Sequence, residues 1–454
     1  MPPLLHGKPI RSAAPRQDEL PAGTNPTRDG KSVTRTIQSG GATNRKKSDG
    51  LSILMIAPQP FFRSRGTPFS VLHRIRALLL LGHSVDLVTY PFGDAVPLEG
   101  LNIIRSAKPP FIDDVQIGPS FVKILLDIPL YFAARRQLQK KQYDLIHSHE
   151  EAAFFSVGLA ARYNIKHVYD MHSSLPQQLH NFGRFNIRPV RRLFERLERY
   201  VLDNCDGVIT ICADLANTVD AHGVEVPHSM IENTADDTMV FPSRDIDVRE
   251  TFSLQDRKIV LYTGTFEAYQ GLDLLVNAFR DVVAVVPDAH LLMVGGRREQ
   301  VEAMRQQVEQ LGIGGSVSFS GTVPSSEIPS YLKAADVIAS PRSSGTNTPL
   351  KLYGYMRSGV PLVATDKYTH TQTLDPGIAH LVPASASGMA EGILKLLNDR
   401  EYAMRLASEA KCKADRMYSD PAYLFRVTDF YSNVFRATTN FRDSAENFST
   451  TTHA

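Results

Sequence analysis

The stretch SPRSSGTNTPLK, residues 340–351, gathers the residue types that hold an anion. An apolar run, DVIAS, ends at Pro341, and a Gly/Ser/Thr/Asn loop follows. Pro349 suits the first position of a helix, with Thr348 behind it as N-cap and Leu350 continuing the turn. Gly345, Thr346, Asn347 and Thr348 would then present backbone N–H groups at a positive helix end, which suits a diphosphate. Arg342 and Lys351 flank the loop and can add full charges. The same composition also describes a well-capped helix after a turn with no ligand at all. Arg63, Arg65, Gly66, Thr67 and Pro68 repeat the design between the first apolar run and the first helical pattern, again with Thr before Pro. Two such loops facing one cleft favour the anion.

His172, in YDMHSS, follows another apolar run. At a strand end a histidine can donate a hydrogen bond or stabilise charge near a reacting carbon. A packed histidine is the alternative. Asp170 either orients it or caps the strand. His147 and His149 alternate along one strand face and are metal-ligand types, but no carboxylate or cysteine set in the sequence completes a site with them.

These residues need elements to hold them. LSILMIA, SVDLVTY, LNIIRS, YDLIHSH, HVYDMHS and DGVITIC read as strands, separated by helical patterns at 68–81 and about 120–142, 150–162, 189–204 and 213–222. After a polar stretch the alternation restarts with RKIVLYT, AHLLMVGG, SVSFSG, DVIASP and VPLVATD. Strands alternating with helices imply right-handed crossovers and parallel sheets. The expected organisation is a disordered basic tail (1–50), an N-terminal domain (51–234), a C-terminal domain (235–419), a helix packing back on the first domain (420–437) and a disordered end (438–454). Two doubly wound sheets would face each other across a cleft, where such folds bind ligands beyond their strand carboxyl ends.

Composition narrows the function. The 454 residues carry 50 Lys+Arg against 48 Asp+Glu, too balanced to favour nucleic acid as a partner. The charge is uneven, +5 over residues 1–50 and −3 over the rest. Three cysteines, Cys205, Cys212 and Cys412, are too few for a disulfide framework, and apolar runs are too short to span a bilayer. A cytoplasmic setting is expected. Phe121–Gln142 sets Lys123, Arg135, Arg136, Lys140 and Lys141 beside large apolar residues, and Arg184–Arg199 carries six arginines. Either stretch can touch anionic membrane from that side, or can be a core-facing helix with a solvated outer face.

Over residues 52–435 the chain resembles the retaining glycosyltransferases with the two-Rossmann (GT-B) fold, family 4 or group 1. The resemblance is carried in order by RSRGTPFS, LLLLGHSVDLVT, DLIHSHEEAA, YDMHSS, DGVITIC, YTGTFEAYQGLDLLVNAF, LLMVGG, SGTVPSSEIPSYLKAADVIASP and NTPLKLYGYMRSGVPLVAT. It implies sugar transfer with retention from a nucleoside-diphosphate sugar to a glycan, lipid or small-molecule acceptor. No metal and no cofactor are implied. His172 matches the histidine beside the donor sugar. Gly264 and Thr265 would line the donor site, and Thr322 and Val323 match the loop that touches the base. The acceptor would sit near Arg65, Gly66 and Thr67.

The departures are specific. The family's usual pair of glutamates would fall on Thr346 and Gly354, and its usual Arg and Lys on Thr265 and Gln270. A leaving diphosphate needs compensating charge wherever it originates, so Arg342 and Lys351 are assigned to replace the missing cations. That reading makes the chain a divergent branch. Its rivals are a sugar-nucleotide epimerase or hydrolase on the same fold, and a binding subunit that has lost turnover. Asp245-Ile-Asp247 matches the acidic triplet of metal-dependent glycosyltransferases, but no strand precedes it, and it reads as a chance match.

Overall fold

The computed structural model describes residues 50–63, 66–113, 115, 121–174, 176, 188–234 and 244–449, with side chains through Arg436 apart from those of Phe121 and Arg188. The expected N-terminal tail up to residue 49, Arg65 and Arg184 lie outside the described residues.

Two parallel sheets are built within one compact unit. The first contains β1 (Ser52–Ala57), β2 (Ser84–Thr89), β3 (Leu101–Arg105), β4 (Leu145–His149), β5 (Lys166–Met171), β6 (Gly207–Thr210) and β7 (His228–Met230), in the order β3-β2-β1-β4-β5-β6-β7. The second contains β8 (Lys258–Thr263), β9 (Ala289–Val294), β10 (Val317–Gly321), β11 (Val337–Ser340), β12 (Leu362–Thr365) and β13 (His380–Val382), in the order β10-β9-β8-β11-β12-β13. This is a two-domain α/β GT-B fold. Strand order reverses between β1 and β4 and again between β8 and β11, and a crevice for ligand opens at such a reversal.

Among the described residues, the helices of eight or more residues are α1 (Gly66–Leu80), α2 (Phe121–Lys140), α3 (Ala153–Tyr163), α4 (Arg188–Asn204), α5 (Ala213–His222), α6 (Leu272–Val285), α7 (Arg298–Gln310), α8 (Lys351–Ser358), α9 (Ala386–Asn398), α10 (Arg400–Met417) and α11 (Asp420–Ser449). They cover both faces of each sheet, which is why the strands read as unbroken apolar runs. Alternation along β1 shows the two layers. Ile53 and Met55 pack with Val71, Leu72 and Ile75 of α1, whereas Leu54 and Ile56 pack with Leu126 and Leu130 of α2.

The last helix returns to the first sheet. Tyr423, Val427, Phe430 and Val434 of α11 join the α1 layer, each burial contributing roughly 1.5–3 kcal/mol. Gly207 at the start of β6 admits this close approach, since a Cβ there would stand 2.7 Å from Val434. The helix runs to Ser449, past the expected stop at 437, because no Gly or Pro follows Pro421 to end it.

Candidate functional site

The reversal between β8 and β11 brings two loops together. Gly271, at the end of the β8 loop, has φ +71°, and a Cβ there would meet Pro341 O at 2.1 Å, so only glycine fits. Gly295, after β9, abuts the carbonyl of Gly264 in the same way. Thr322 follows β10 and donates to Gly296 O at 3.1 Å, and Val323 packs in a small cluster behind it. Gly264, Thr265 and Thr322 thus share one end of the sheet.

Two cations enter this place. Lys351 Nζ donates to Thr263 O at 3.0 Å and to Gln270 Oε1 at 3.3 Å, and lies 4.0 Å from the centre of the Tyr262 ring. Arg342 donates from Nε to Ser344 O at 2.9 Å, with its guanidinium 5.0 Å from the Tyr269 ring centre and against Gly345. Among the described residues no carboxylate pairs with either. Burial first, and then the neighbouring Arg342 charge, hold the Lys351 pKa well below the usual lysine range. Burial also lowers Arg342. Two partly buried, unneutralised cations of like sign are costly to keep together unless an anion joins them. The cation that the resemblance would place at Gln270 arrives here from α8.

The geometry of the Gly345–Thr348 loop differs from expectation. The helix begins at Lys351, and the residue before it, Leu350, already has helical dihedrals and caps nothing with its side chain. Thr348 is therefore not the N-cap, and Pro349 precedes the helix by two residues. Thr67 likewise lies inside the first turn of α1, which begins at Gly66; Pro68 is tolerated there because first-turn amides lack partners anyway. The 345–348 loop is instead held against the first domain. Asn347 Nδ2 donates to His172 O at 3.1 Å. Gln372 donates to Thr346 O and accepts from the Asp214 amide, at the start of α5, at 2.8 Å. Thr369 holds Asn347 O at 2.6 Å. This tertiary tie uses Thr346 and Asn347 in ways that spacing did not suggest.

His172 directly follows β5, in a buried polar network that sequence reading largely missed. His172 Nε2 lies 2.9 Å from His149 Nδ1 and 3.3 Å from Asp170 Oδ1. Asp170 Oδ2 receives Arg74 Nε at 2.9 Å and His147 Nε2 at 3.1 Å. His147 Nδ1 meets the Tyr431 hydroxyl of α11. Asp170 is 1% exposed and both β4 histidines 0%. Although burial opposes its charge, Arg74 and the histidines hold the Asp170 pKa well below the carboxylate range. Burial pushes His147 and His149 down, keeping both neutral. His172 Nδ1 is buried without a hydrogen-bond partner among the described residues.

The alternation of His147, His149, Asp170 and His172 was the legible signal, because β4 and β5 pair with His149 opposite Asp170. Asp170 thereby supplies the carboxylate absent from the linear pattern, and ligand atoms of His147, His149 and Asp170 lie within 4.8 Å of one another. Arg74 already balances that carboxylate, so a divalent ion there would face a buried guanidinium. The acidic triplet serves local structure. Asp247 caps the short helix Val248–Thr251 by accepting from Glu250 N, and Asp245 accepts from Ser330 Oγ at 3.3 Å.

Comparison with known proteins matches each half. Residues 65–238 match the family described as Glycosyltransferase Family 4, and residues 243–413 the family described as glycosyl transferases group 1. Mannosylfructose-phosphate synthase of Agrobacterium fabrum is 28% identical over 330 residues, spanning 65% of this chain and 70% of that protein. Among solved structures, sucrose-phosphate synthase from Thermosynechococcus elongatus superposes with TM-score 0.69 at 21% identity, over 85% of this chain and all of that one. Anabaena HepE in complex with UDP-glucose gives 0.65 at 17% identity, over 84% and 99%. The two structural likenesses concern the fold alone.

Proposed function

Because the chain belongs to the group 1 / family 4 glycosyltransferases, we propose that it moves a sugar, with retention and without metal or cofactor, from a nucleoside-diphosphate sugar to a carbohydrate or lipid-linked acceptor. The observation that carries this reading is the pair of unneutralised cations, Lys351 and Arg342, at the β8/β11 reversal. Transfer breaks the bond between the anomeric carbon and the diphosphate. It forms a bond from the acceptor hydroxyl on the same face, and the hydroxyl proton leaves with the departing phosphate oxygen. Charge grows on the diphosphate as the bond breaks, and there the cations act. His172 offers its remaining ring nitrogen to the reacting centre, and the acceptor lies beyond it, toward Gly66 and Thr67. The UDP-glucose held by the Anabaena fold relative supports a nucleotide-sugar donor.

Incubation with a panel of nucleotide-sugars tests the class of reaction. Product that appears only with an acceptor supports transfer, acceptor-independent turnover points to an epimerase or hydrolase, and no turnover to a binding subunit. Since side-chain cations meet the diphosphate, EDTA is expected to leave most transfer intact. Loss restored specifically by manganese or magnesium would overturn the metal-independent reading.

A lipid-linked acceptor is favoured by α2, which is apolar on two opposite faces. Leu126, Leu130, Ala134 and Leu138 face the sheet. Ile124, Leu125, Ile128 and Phe132 are 54–57% exposed on the other side, and Arg135, Arg136 and Lys140 continue that stripe. Charge complementarity makes an anionic bilayer its partner. By contrast, Arg191 and Arg199 of α4 pair with Glu195 and Asp203. No helix of the described residues is long and apolar enough to cross a membrane. The protein should co-sediment with phosphatidylglycerol vesicles and not with phosphatidylcholine alone. Changing the three α2 cations to Gln should weaken this about 10²-fold, at ~1 kcal/mol per cation. Equal sedimentation with both vesicles, or with neither, would overturn the docking.

A further inference from the structure

Tyr431 stands 284 residues along the chain from His147, yet its hydroxyl meets His147 Nδ1 in a buried bond. The Asp170 carboxylate only accepts, so His147 Nε2, 3.1 Å from Asp170 Oδ2, carries the proton of its ring. In a neutral ring Nδ1 is then the acceptor and the Tyr431 hydroxyl the donor. Asp170 thereby sets the tautomer, and the Tyr431 hydroxyl satisfies the acceptor that this leaves at Nδ1 and fixes the ring's orientation. In the other tautomer, Nε2 would turn a lone pair toward the carboxylate and Asp170 would lose one of its donors. The opposite oxygen of that carboxylate, Oδ1, stands 3.3 Å from His172 Nε2, whose hydrogen bond goes to His149 Nδ1, so Asp170 acts on His172 by packing and charge against the ring.

We propose that Tyr431 is a positioning residue for sugar transfer, acting through His147 and Asp170 to hold His172. The C-terminal helix is in this way part of the active centre as well as a packing element. Arg74 strengthens the link, because it binds Asp170 Oδ2 and lies 5.3 Å from the ring centre of Tyr423, two turns earlier on α11. The inference rests on the reading of His172 as a residue at the reacting centre. A hydroxyl that only satisfied a buried ring would show in stability, whereas positioning shows in turnover at unchanged donor affinity.

The test is a double-mutant cycle with Tyr431→Phe and His172→Ala, followed by steady-state transfer kinetics. Tyr431→Phe, which keeps the ring volume, is expected to lower kcat about tenfold while donor KM stays within about twofold. On the His172→Ala background the same change should have no further effect on kcat. An unchanged kcat in Tyr431→Phe beside a strongly impaired His172→Ala overturns the positioning role alone. So does an equal loss on both backgrounds, which would mean that the hydroxyl acts without His172. Normal transfer by His172→Ala overturns the reading of His172 itself. Should the phenylalanine variant not fold, His147→Ala must show the same split between kcat and KM and the same lack of effect without His172.

Discussion

Lys351→Ala and Arg342→Ala should each lower transfer by about 10²–10³-fold, and the double variant further, because each removes a full charge from the departing diphosphate. No neighbour can stand in. The positions flanking the β8 loop are Thr265 and Gln270, both uncharged, and among the described residues no other cation contacts Gln270. The Lys351 pKa is held well below the usual range, so the cation is lost as pH rises through that depressed value. Donor KM is therefore expected to climb on the alkaline side at a pH where an ordinary lysine, near 10.4, stays charged. Binding of the anion favours the charged lysine and should take up a proton.

Stability carries the opposite sign. At neutral pH the unfolded chain protonates Lys351 freely while the folded state resists it, so burying the amine costs stability, a cost that fades as pH rises. Lys351→Met keeps the stem and removes the charge. It is expected to raise Tm by a few degrees while abolishing most transfer. Calorimetry beside transfer kinetics checks both halves. Normal transfer by the double variant would end the cation mechanism and leave the binding-subunit reading ahead.

The second large effect belongs to His172. His172→Ala should lower kcat by about 10²-fold or more, the range of a lost positioned acid–base or electrostatic group. Donor binding should weaken less, because Arg342 and Lys351, proposed to meet the diphosphate, belong to the second domain. His172 O also accepts from Asn347, but that bond is to the backbone and survives the substitution. Isothermal calorimetry with the nucleoside diphosphate separates binding from turnover. Near-normal kcat in a folded variant would return His172 to a packing role.

The sequence by itself determined the layers, the strands and the neighbourhood of the site. Unbroken apolar runs such as ILMIA need cover on both faces, so parallel sheets with flanking helices follow from burial alone. Arg342 and Lys351 were legible because they bracket one loop within ten residues. Helix starts were legible only to within two residues, since Thr before Pro marks a favourable N-cap without excluding a later start, and Leu350 shows the later one.

What joins His172 to the rest of the chain was decided by tertiary structure. His147 and Asp170 become neighbours only because β4 pairs with β5, and Tyr431 reaches them only because α11 packs back across the first sheet. Asn347 meets His172 only where the two domains touch. The direction of each pKa shift has the same origin. A histidine, a lysine and an aspartate have ordinary values in an extended chain, and burial together with the charges brought alongside moves them. Local pattern specifies which face of an element is buried, but long-range packing chooses the charge that lies against it.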